Sequence, residues 1–208
     1  QSGHDHRERR GEADPEADAA VREEEVVRDG DHADEHEDRR ERAEREARID
    51  VLTQLNNRRG FLELAEAPYR GAERHQRPLS LILLDLDRFK EINDEHGHAA
   101  GDAVLNAIGQ TLAVSARRSD VVGRWGGEEF VLLLPETGLN EAVELAERLR
   151  EQLRERVIRH EGAELRMTAS FGVAALDGQQ SLALLIDAAD KALYAAKMAG
   201  RNRVSRVL

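Results

Sequence analysis

The chain has 208 residues and a formal net charge of −11, and it contains no cysteine. An acidic chain lacks the clustered cations with which proteins hold nucleic acid polymers, so we expect no such polymer as a partner. Disulfides and thiolate metal sites are excluded, and no apolar run is long enough to span a membrane. We therefore predict a cytoplasmic chain without membrane contact of its own, either independent or joined to an upstream sensor or membrane region.

The acidic charge is concentrated in a leader, residues 1–49, which holds 18 acidic and 10 basic side chains against 24 and 21 in residues 50–208. Its low apolar content predicts disorder in the first part. Over Glu35–Ile49 the composition favours a helix, with a thin apolar stripe through Ala43, Ala47 and Val51. Two interpretations of this helix remain open: a solvated linker, or a signalling helix that pairs with its copy in a dimer.

Residues 50–208 are predicted to form one domain in which helices and strands alternate. The run Leu79–Leu86 is almost continuously apolar, as in a strand buried on both faces, and the paired glycines 126 and 127 between two apolar runs predict a tight hairpin. We expect a mixed α/β (α+β) fold in which helices cover a sheet that contains this hairpin. The predicted elements are helix Arg58–Arg74, strand Leu79–Leu86, helix Asp102–Ala116, strands Val121–Trp125 and Glu129–Leu134, helix Leu139–Arg156, strand Leu165–Ala174, helix Ser181–Met198 and strand Arg203–Val207.

Two aspartates, Asp85 and Asp87, stand at the end of the most apolar strand. A carboxylate is costly to bury there unless something compensates it. A helix cap or a salt bridge would be the structural explanation. The functional explanation is magnesium, which proteins hold with one or two carboxylates while substrate phosphates complete the coordination shell.

The hairpin offers a second carboxylate, because Glu128 directly follows Gly126 and Gly127. Residues without a Cβ let the backbone approach a phosphate closely. A hairpin whose acids face solvent would explain the same sequence. If the hairpin lies beside the Leu79–Leu86 strand, Asp85 and Glu128 converge on one site.

Two further groups of polar residues suit a nucleotide. Asn93 and Asp102 offer the acceptors and donors that the edge of guanine requires, although Asp102 could instead cap a helix. Lys197 and Arg201 stand four apart near a helix C-terminus, where they would either hold phosphates or interact with the helix dipole. His98 is predicted to be structural, because no second histidine stands at a metal-binding spacing.

Taken together and in order, these residues resemble the GGDEF family of diguanylate cyclases over Asp50 to about Val207. One motif alone would be a weak signal, but several motifs in this order and at matching spacing are not expected by chance. The stretches that carry the resemblance are Asp50–Arg59, Asp85–Lys90, Asn93–Asp94, Gly97–His98, Gly101–Asp102, Gly126–Phe130 and Ala189–Asn202.

The resemblance implies a palm-like βαββαβ core and a homodimer that condenses two GTP into cyclic di-GMP with release of two pyrophosphates. It also implies Mg²⁺ as the cofactor, with Mn²⁺ as an alternative. The roles carried over are metal binding by Asp85, Glu128 and the Leu86 carbonyl, guanine recognition by Asn93 and Asp102, phosphate binding by Lys90, Lys197 and Arg201, nucleotide contact by Gly126 and Gly127, and a place in the catalytic signature for Glu129.

An Arg-x-x-Asp sequence, Arg117 to Asp120, precedes the hairpin. At this spacing the resemblance implies an allosteric site at which cyclic di-GMP inhibits its own synthesis, with Arg148 supplying a further contact. A guanidinium grips phosphates or guanine edges bidentately, and a carboxylate accepts from guanine N–H groups. The alternative is a solvated surface pair of little consequence.

Two positions depart from the family pattern, since Gln54 stands where the family usually has glycine and Leu84 where it often has phenylalanine. Neither belongs to the metal or phosphate set, so they do not count against activity. A degenerate member that binds nucleotide without catalysis would be expected to lack an acid at position 85 or 128, and both are present. A cyclase of altered base choice is disfavoured by Asp102.

Overall fold

The structure, a computed structural model, describes residues 48–178 and 181–207. The leader and its predicted helix lie outside these residues, except at the junction. There Ile49 forms an antiparallel β-bridge with Asn56, so the expectation that the helix reaches Ile49 is wrong.

A five-stranded sheet forms the centre of the fold, in the order β2-β3-β1-β6-β7. All neighbouring strands are antiparallel except β6 and β7, which are parallel. The predicted palm-like βαββαβ core is confirmed. The strands are β1 (Leu79–Leu86), β2 (Val121–Arg124), β3 (Glu129–Pro135), β6 (Ala169–Ala175) and β7 (Val204–Arg206), with β4 (Ile158–His160) and β5 (Ala163–Leu165) as a separate hairpin.

Helices cover both faces of this sheet, which explains why β1 is apolar throughout. Leu81 and Leu83 of β1 pack in one buried cluster with residues of the helices Arg58–His75 and Leu182–Met198, whereas Ile82 and Leu84 pack in another with residues of the helices His98–Ser115 and Leu139–Glu155. Alternate strand residues point to opposite faces, so both faces need apolar side chains. The helices are α1 (Arg58–His75), α2 (Phe89–His96), α3 (His98–Ser115), α4 (Leu139–Glu155) and α5 (Leu182–Met198).

Helix ends follow local signals where a capping side chain is present. Asn57 accepts a hydrogen bond from the Gly60 N–H at 3.0 Å and starts α1, and Ser181 caps α5 as predicted. Most other predicted bounds differ by one or two residues, the usual uncertainty of helix and strand ends. Among the described residues, no helix is long and apolar enough to cross a membrane.

Two predicted elements need larger corrections, and one helix was missed. Helix α3 begins at His98, one turn before the predicted start at Asp102. The short helix α2 was not predicted. The predicted strand Leu165–Ala174 is divided, because residue 165 ends the β4-β5 hairpin and β6 begins only at Ala169.

Gln54 has φ +59°, in the left-handed region that favours glycine. Its side chain donates to the Val51 carbonyl at 2.8 Å. The position therefore suits glycine, and glutamine is tolerated there at some cost in backbone strain.

Candidate active site

The strand register brings the acids of β1 and the hairpin together. Asp85 lies opposite Glu129 in the β1-β3 ladder, and the Leu86 N–H donates to the Glu128 carbonyl at 3.2 Å. Asp85 is only 8% exposed, and Glu128 and Glu129 are partly buried. The predicted convergence of Asp85 with Glu128 is therefore present in the structure.

These three carboxylates are unfavourable as anions in their surroundings. Burial raises the pKa of Asp85, Glu128 and Glu129, and the charge of Asp85 further raises the pKa of both glutamates. Lys197 opposes this effect, with its Nζ 2.8 Å from Asp85 Oδ2. A lysine that pairs with one of these acids does not neutralise all three, so the site can accept further positive charge.

The donor set fits a hard divalent cation that shares its shell with a substrate. Among residues 48–178 and 181–207, no three acidic or histidine side chains come together in a group that could hold a metal by themselves. Two carboxylates remain as candidate ligands. Asp85 stands in β1 next to the Leu86 carbonyl, and Glu128 stands in the hairpin turn, where its carbonyl accepts from the Leu86 N–H. Magnesium is commonly bound by one or two carboxylates together with substrate phosphates.

The turn of the hairpin is fixed by hydrogen bonds from Arg124, and the space next to Gly127 is free of other atoms among the described residues. The Arg124 guanidinium donates to both carboxylate oxygens of Asp50 at 3.1 Å and to the Gly127 carbonyl at 2.6 Å. A Cβ on Gly126 would meet Glu129 Oε2 at 2.5 Å, whereas one on Gly127 would meet no atom within 4 Å. Gly127 therefore leaves space through which a ligand could approach the backbone.

Sequence reasoning assigned no role to the residues that support this turn. Besides Arg124 and Asp50, the Trp125 ring packs edge-on against Phe61, with centroids 5.9 Å apart, and lies 4.4 Å from the Arg58 guanidinium carbon. These contacts join segments distant in the sequence. The spacing of the motifs alone gave no signal for them.

The candidate guanine-reading residues meet at the α2-α3 junction. A Cβ on Gly101 would lie 2.0 Å from Asn93 Oδ1, so the glycine lets the Asn93 side chain pack against the first turn of α3. Asp102 follows in that turn and is exposed. Gly97 occupies the N-cap position, so the alternative that Asp102 caps the helix is wrong. Lys90 and His98, in the first turns of α2 and α3, are exposed.

Asp87 differs from Asp85 because its carboxylate has hydrogen-bond partners on both oxygens. It accepts from Ser170 Oγ and Thr168 Oγ1 at 2.7 Å and from the Asn202 N–H at 3.0 Å. A structural role therefore explains Asp87, but through hydroxyls and a backbone N–H and not through the helix cap or salt bridge that was expected; the salt bridge, with Lys197, is made by Asp85. Arg201, next to Asn202, is exposed and follows the helix that carries Lys197.

Arg117, Asp120 and Arg148 line a cavity of about 320 Å³, together with residues of β3 and α4. Asp120 Oδ2 accepts from the Arg117 N–H at 2.8 Å, which closes the turn between them. Arg117 and Asp120 also line a shallower cavity of about 330 Å³ on the side of Ile49 and Gln54. The structure thus brings the three predicted regulatory residues together, on exposed or half-buried positions.

The chain is similar to known proteins over most of its length. Residues 47–203 match the family described as diguanylate cyclase, GGDEF domain. The chain is 46% identical over 167 residues to the diguanylate cyclase DgcM of Escherichia coli, covering 79% of this chain but only 39% of that protein.

Two solved structures are similar over nearly their whole length. The coiled coil and GGDEF domain of DgcB from Caulobacter crescentus, in complex with c-di-GMP, has a TM-score of 0.84 and 28% identity, covering 89% of this chain and 98% of that one. The active GGEEF domain of a diguanylate cyclase from Vibrio cholerae has a TM-score of 0.67 and 36% identity, covering 74% and 97%. The chain therefore belongs to the GGDEF domain family of diguanylate cyclases.

Proposed function

We propose that this chain condenses two GTP molecules into cyclic di-GMP with release of two pyrophosphates. The observation that carries the proposal is the convergence of Asp85 and Glu128 beside the open Gly127 turn, in a chain of this family. Charge that develops on transferring phosphates needs cations and hydrogen-bond donors in a partly water-excluded site.

Asp85, Glu128 and the Leu86 carbonyl would hold a divalent cation, and we propose Mg²⁺, with Mn²⁺ as an alternative. When bound, the cation would neutralise phosphate charge and acidify the attacking hydroxyl. Lys197, at 2.8 Å from Asp85, would share its charge between that carboxylate and the triphosphate. Arg201 and Lys90 are exposed cations that would contact phosphate oxygens. Glu129, whose pKa burial raises, would complete the acidic signature.

Base recognition is proposed for Asn93, whose side chain packs where Gly101 lacks a Cβ, and for Asp102, the next residue along α3. The carboxylate of Asp102 would accept from the N1–H and N2–H groups of guanine, which adenine does not offer. Asp102→Ala should therefore narrow the preference for GTP over ATP, because leaving such groups unpaired costs ~1–3 kcal/mol each. Equal loss toward both nucleotides would refute the assignment.

A homodimer follows from the chemistry proposed. The 3′-hydroxyl of one GTP must attack the α-phosphorus of the other, and each chain offers one such site. Two copies that face each other across a twofold axis would make both bonds. Activity per chain should then rise with protein concentration in the dilute range. A flat activity per chain at concentrations where sizing shows monomer would refute the shared site.

Product inhibition is proposed for the cavity lined by Arg117, Asp120 and Arg148. Its volume of about 320 Å³ and its two guanidinium groups suit part of a cyclic dinucleotide, and the similar DgcB structure is a complex with c-di-GMP. Bound product would favour an arrangement that keeps the GTP sites apart. Arg117→Ala should raise the inhibition constant for added cyclic di-GMP, and an unchanged constant would overturn the proposal.

The main alternative is a chain that binds GTP without turnover. The acids at both metal positions favour the enzyme. Incubation with GTP and Mg²⁺, followed by mass identification of the products, separates the two. Cyclic di-GMP with pyrophosphate supports the proposal. Bound but unchanged GTP would support the alternative.

A further inference from the structure

The segment that follows α5 has an unusual backbone conformation. Arg201 has φ +63° and Asn202 φ +44°, two consecutive non-glycine residues in the left-handed region. Non-glycine L-residues rarely adopt this backbone region, and such conformations persist only where the surrounding structure stabilises them. The structure therefore should contain groups that fix this segment.

One such group lies beneath the segment. Asp87, 8% exposed, accepts from the Asn202 N–H at 3.0 Å. Its carboxylate is itself fixed by the hydroxyls of Thr168 and Ser170, each at 2.7 Å. The Asn202 backbone is thus tied to β6 through a buried carboxylate that has little freedom to move.

A second group holds the segment from α4. Arg150 Nη1 donates to Asn202 Oδ1 at 3.0 Å and to the Asn202 carbonyl at 3.4 Å. The Arg150 side chain is 14% exposed and is oriented by ion pairs with Glu147, at 2.7 Å, and with Glu151. Asn202 is therefore held from two different elements of the fold.

The preceding residue, Arg201, has an exposed side chain. The Arg201 backbone N–H donates to the Ala196 carbonyl at 3.1 Å, and the next residue of α5, Lys197, places its Nζ 2.8 Å from Asp85 Oδ2, so this segment lies beside the acidic cluster. The anchors thus fix the backbone while the cation stays available on the side of the acidic cluster.

We propose that Asp87 and Arg150 are positioning residues, which hold Asn202 so that Arg201 presents its guanidinium to the triphosphate of a bound nucleotide. The inference rests on the proposed function and deepens it. Fixing a contact group before the ligand arrives reduces the entropy that binding must overcome. Loss of either anchor should therefore weaken nucleotide binding through Arg201, without removing any group that contacts the nucleotide.

The test is a double-mutant cycle with Arg150→Met and Arg201→Met, in which the KM for GTP and kcat are measured for each variant. Arg150→Met alone should raise the KM about fivefold to tenfold, as expected for a lost charge-assisted contact, and change kcat less. In the Arg201→Met background, the same change should alter the KM less than about twofold.

Arg154→Met is the matched control, because Arg154 pairs with Glu151 on the same helix and has no contact with Asn202 among those the structure describes. It should leave the KM unchanged. The proposal is overturned if Arg150→Met behaves like Arg154→Met, or if its effect is equally large without Arg201, since a general structural role would produce additive effects.

Failure of the inference and failure of the proposed function give different results. A wild-type chain that makes no cyclic di-GMP refutes the function and the inference together. An active wild type in which the cycle shows no coupling refutes the inference alone. Asp87→Asn adds an independent arm if it folds, as judged by circular dichroism, and should show the same coupling to Arg201. If it does not fold, the Arg150 cycle decides.

Discussion

Asp85 and Asp87 stand two residues apart and are equally buried, each 8% exposed, yet their surroundings are opposite. The Asp87 carboxylate accepts hydrogen bonds from two hydroxyl groups and from a backbone N–H. Asp85 lies beside two further carboxylates with one lysine as its partner, and burial raises its pKa. Burial of an acid is therefore not the sign of a functional site. The sign is a buried acid whose charge the protein does not fully compensate.

The largest expected difference between the surroundings of Asp85 and those of Asp87 is the effect of substitutions on kcat. Glu128→Gln keeps the size of the side chain but removes a proposed metal ligand, so kcat should fall about 100-fold or more. The free energy of unfolding should stay the same or rise, because an anion that burial disfavours has been removed. Steady-state kinetics and urea unfolding measure both quantities. Retention of more than about a tenth of the wild-type rate at saturating Mg²⁺ would rule out the assignment.

At Asp87 the expected effect is mainly on stability. In Asp87→Asn, an amide nitrogen replaces one acceptor oxygen and cannot accept from the groups that face it. The free energy of unfolding should fall by ~2 kcal/mol, while kcat falls far less than in Glu128→Gln. Urea unfolding of both variants tests the contrast. Equal stability of Asp87→Asn and wild type would show that this hydrogen-bond network contributes little.

The pH dependence of stability should also separate the acids. Burial, and then the charge of Asp85, raises the pKa of Glu128 in the folded state. Between the unfolded and folded pKa values the folded chain binds more protons, so this group lowers stability as pH rises through that window. The stability gain of Glu128→Gln over wild type should thus be present at about pH 7 and vanish below about pH 4. A gain that grows as pH falls would have the wrong sign.

The smallest effect on stability is expected from removing one hydroxyl group, that of Thr168. Thr168→Val keeps the shape of the side chain but removes the donor to Asp87 Oδ2, so the free energy of unfolding should decrease by ~1 kcal/mol. The loss should shrink in an Asp87→Asn background, since the two changes share one interaction. Urea unfolding of the two single variants and the double variant measures this coupling. Fully additive losses would contradict the network described.

Sequence reasoning predicted the elements with strong local signals. The run Leu79–Leu86 could be recognised from its continuous apolar character, and α5 from its Ser181 cap. Helix α2 was missed because it is eight residues long, mostly polar, and begins after Arg88, which makes no side-chain capping bond. Short polar helices carry little periodicity from which they could be predicted.

The sequence named the residues of the candidate site, but it did not indicate which of the two aspartates the fold supplies with hydrogen-bond partners. The number of residues between Asp85 and Glu128 does not reveal how β1 and β3 align. Their proximity depends on the register with which these two strands pair. The partners of Asp87 lie 81 to 115 residues further along the chain. No local pattern distinguishes an aspartate with such partners from one without them.

The central claim is that Asp85 and Glu128 hold the metal together with the substrate, whereas Asp87 supports the fold. The most direct measurement is Mn²⁺ binding, detected by electron paramagnetic resonance. It is made at saturating 3′-deoxy-GTP, a nucleotide that lacks the attacking hydroxyl. Wild type and folded Asp87→Asn should bind Mn²⁺ with the nucleotide, and Asp85→Asn and Glu128→Gln should not. Normal Mn²⁺ binding by Glu128→Gln, or its loss in folded Asp87→Asn, would contradict the claim.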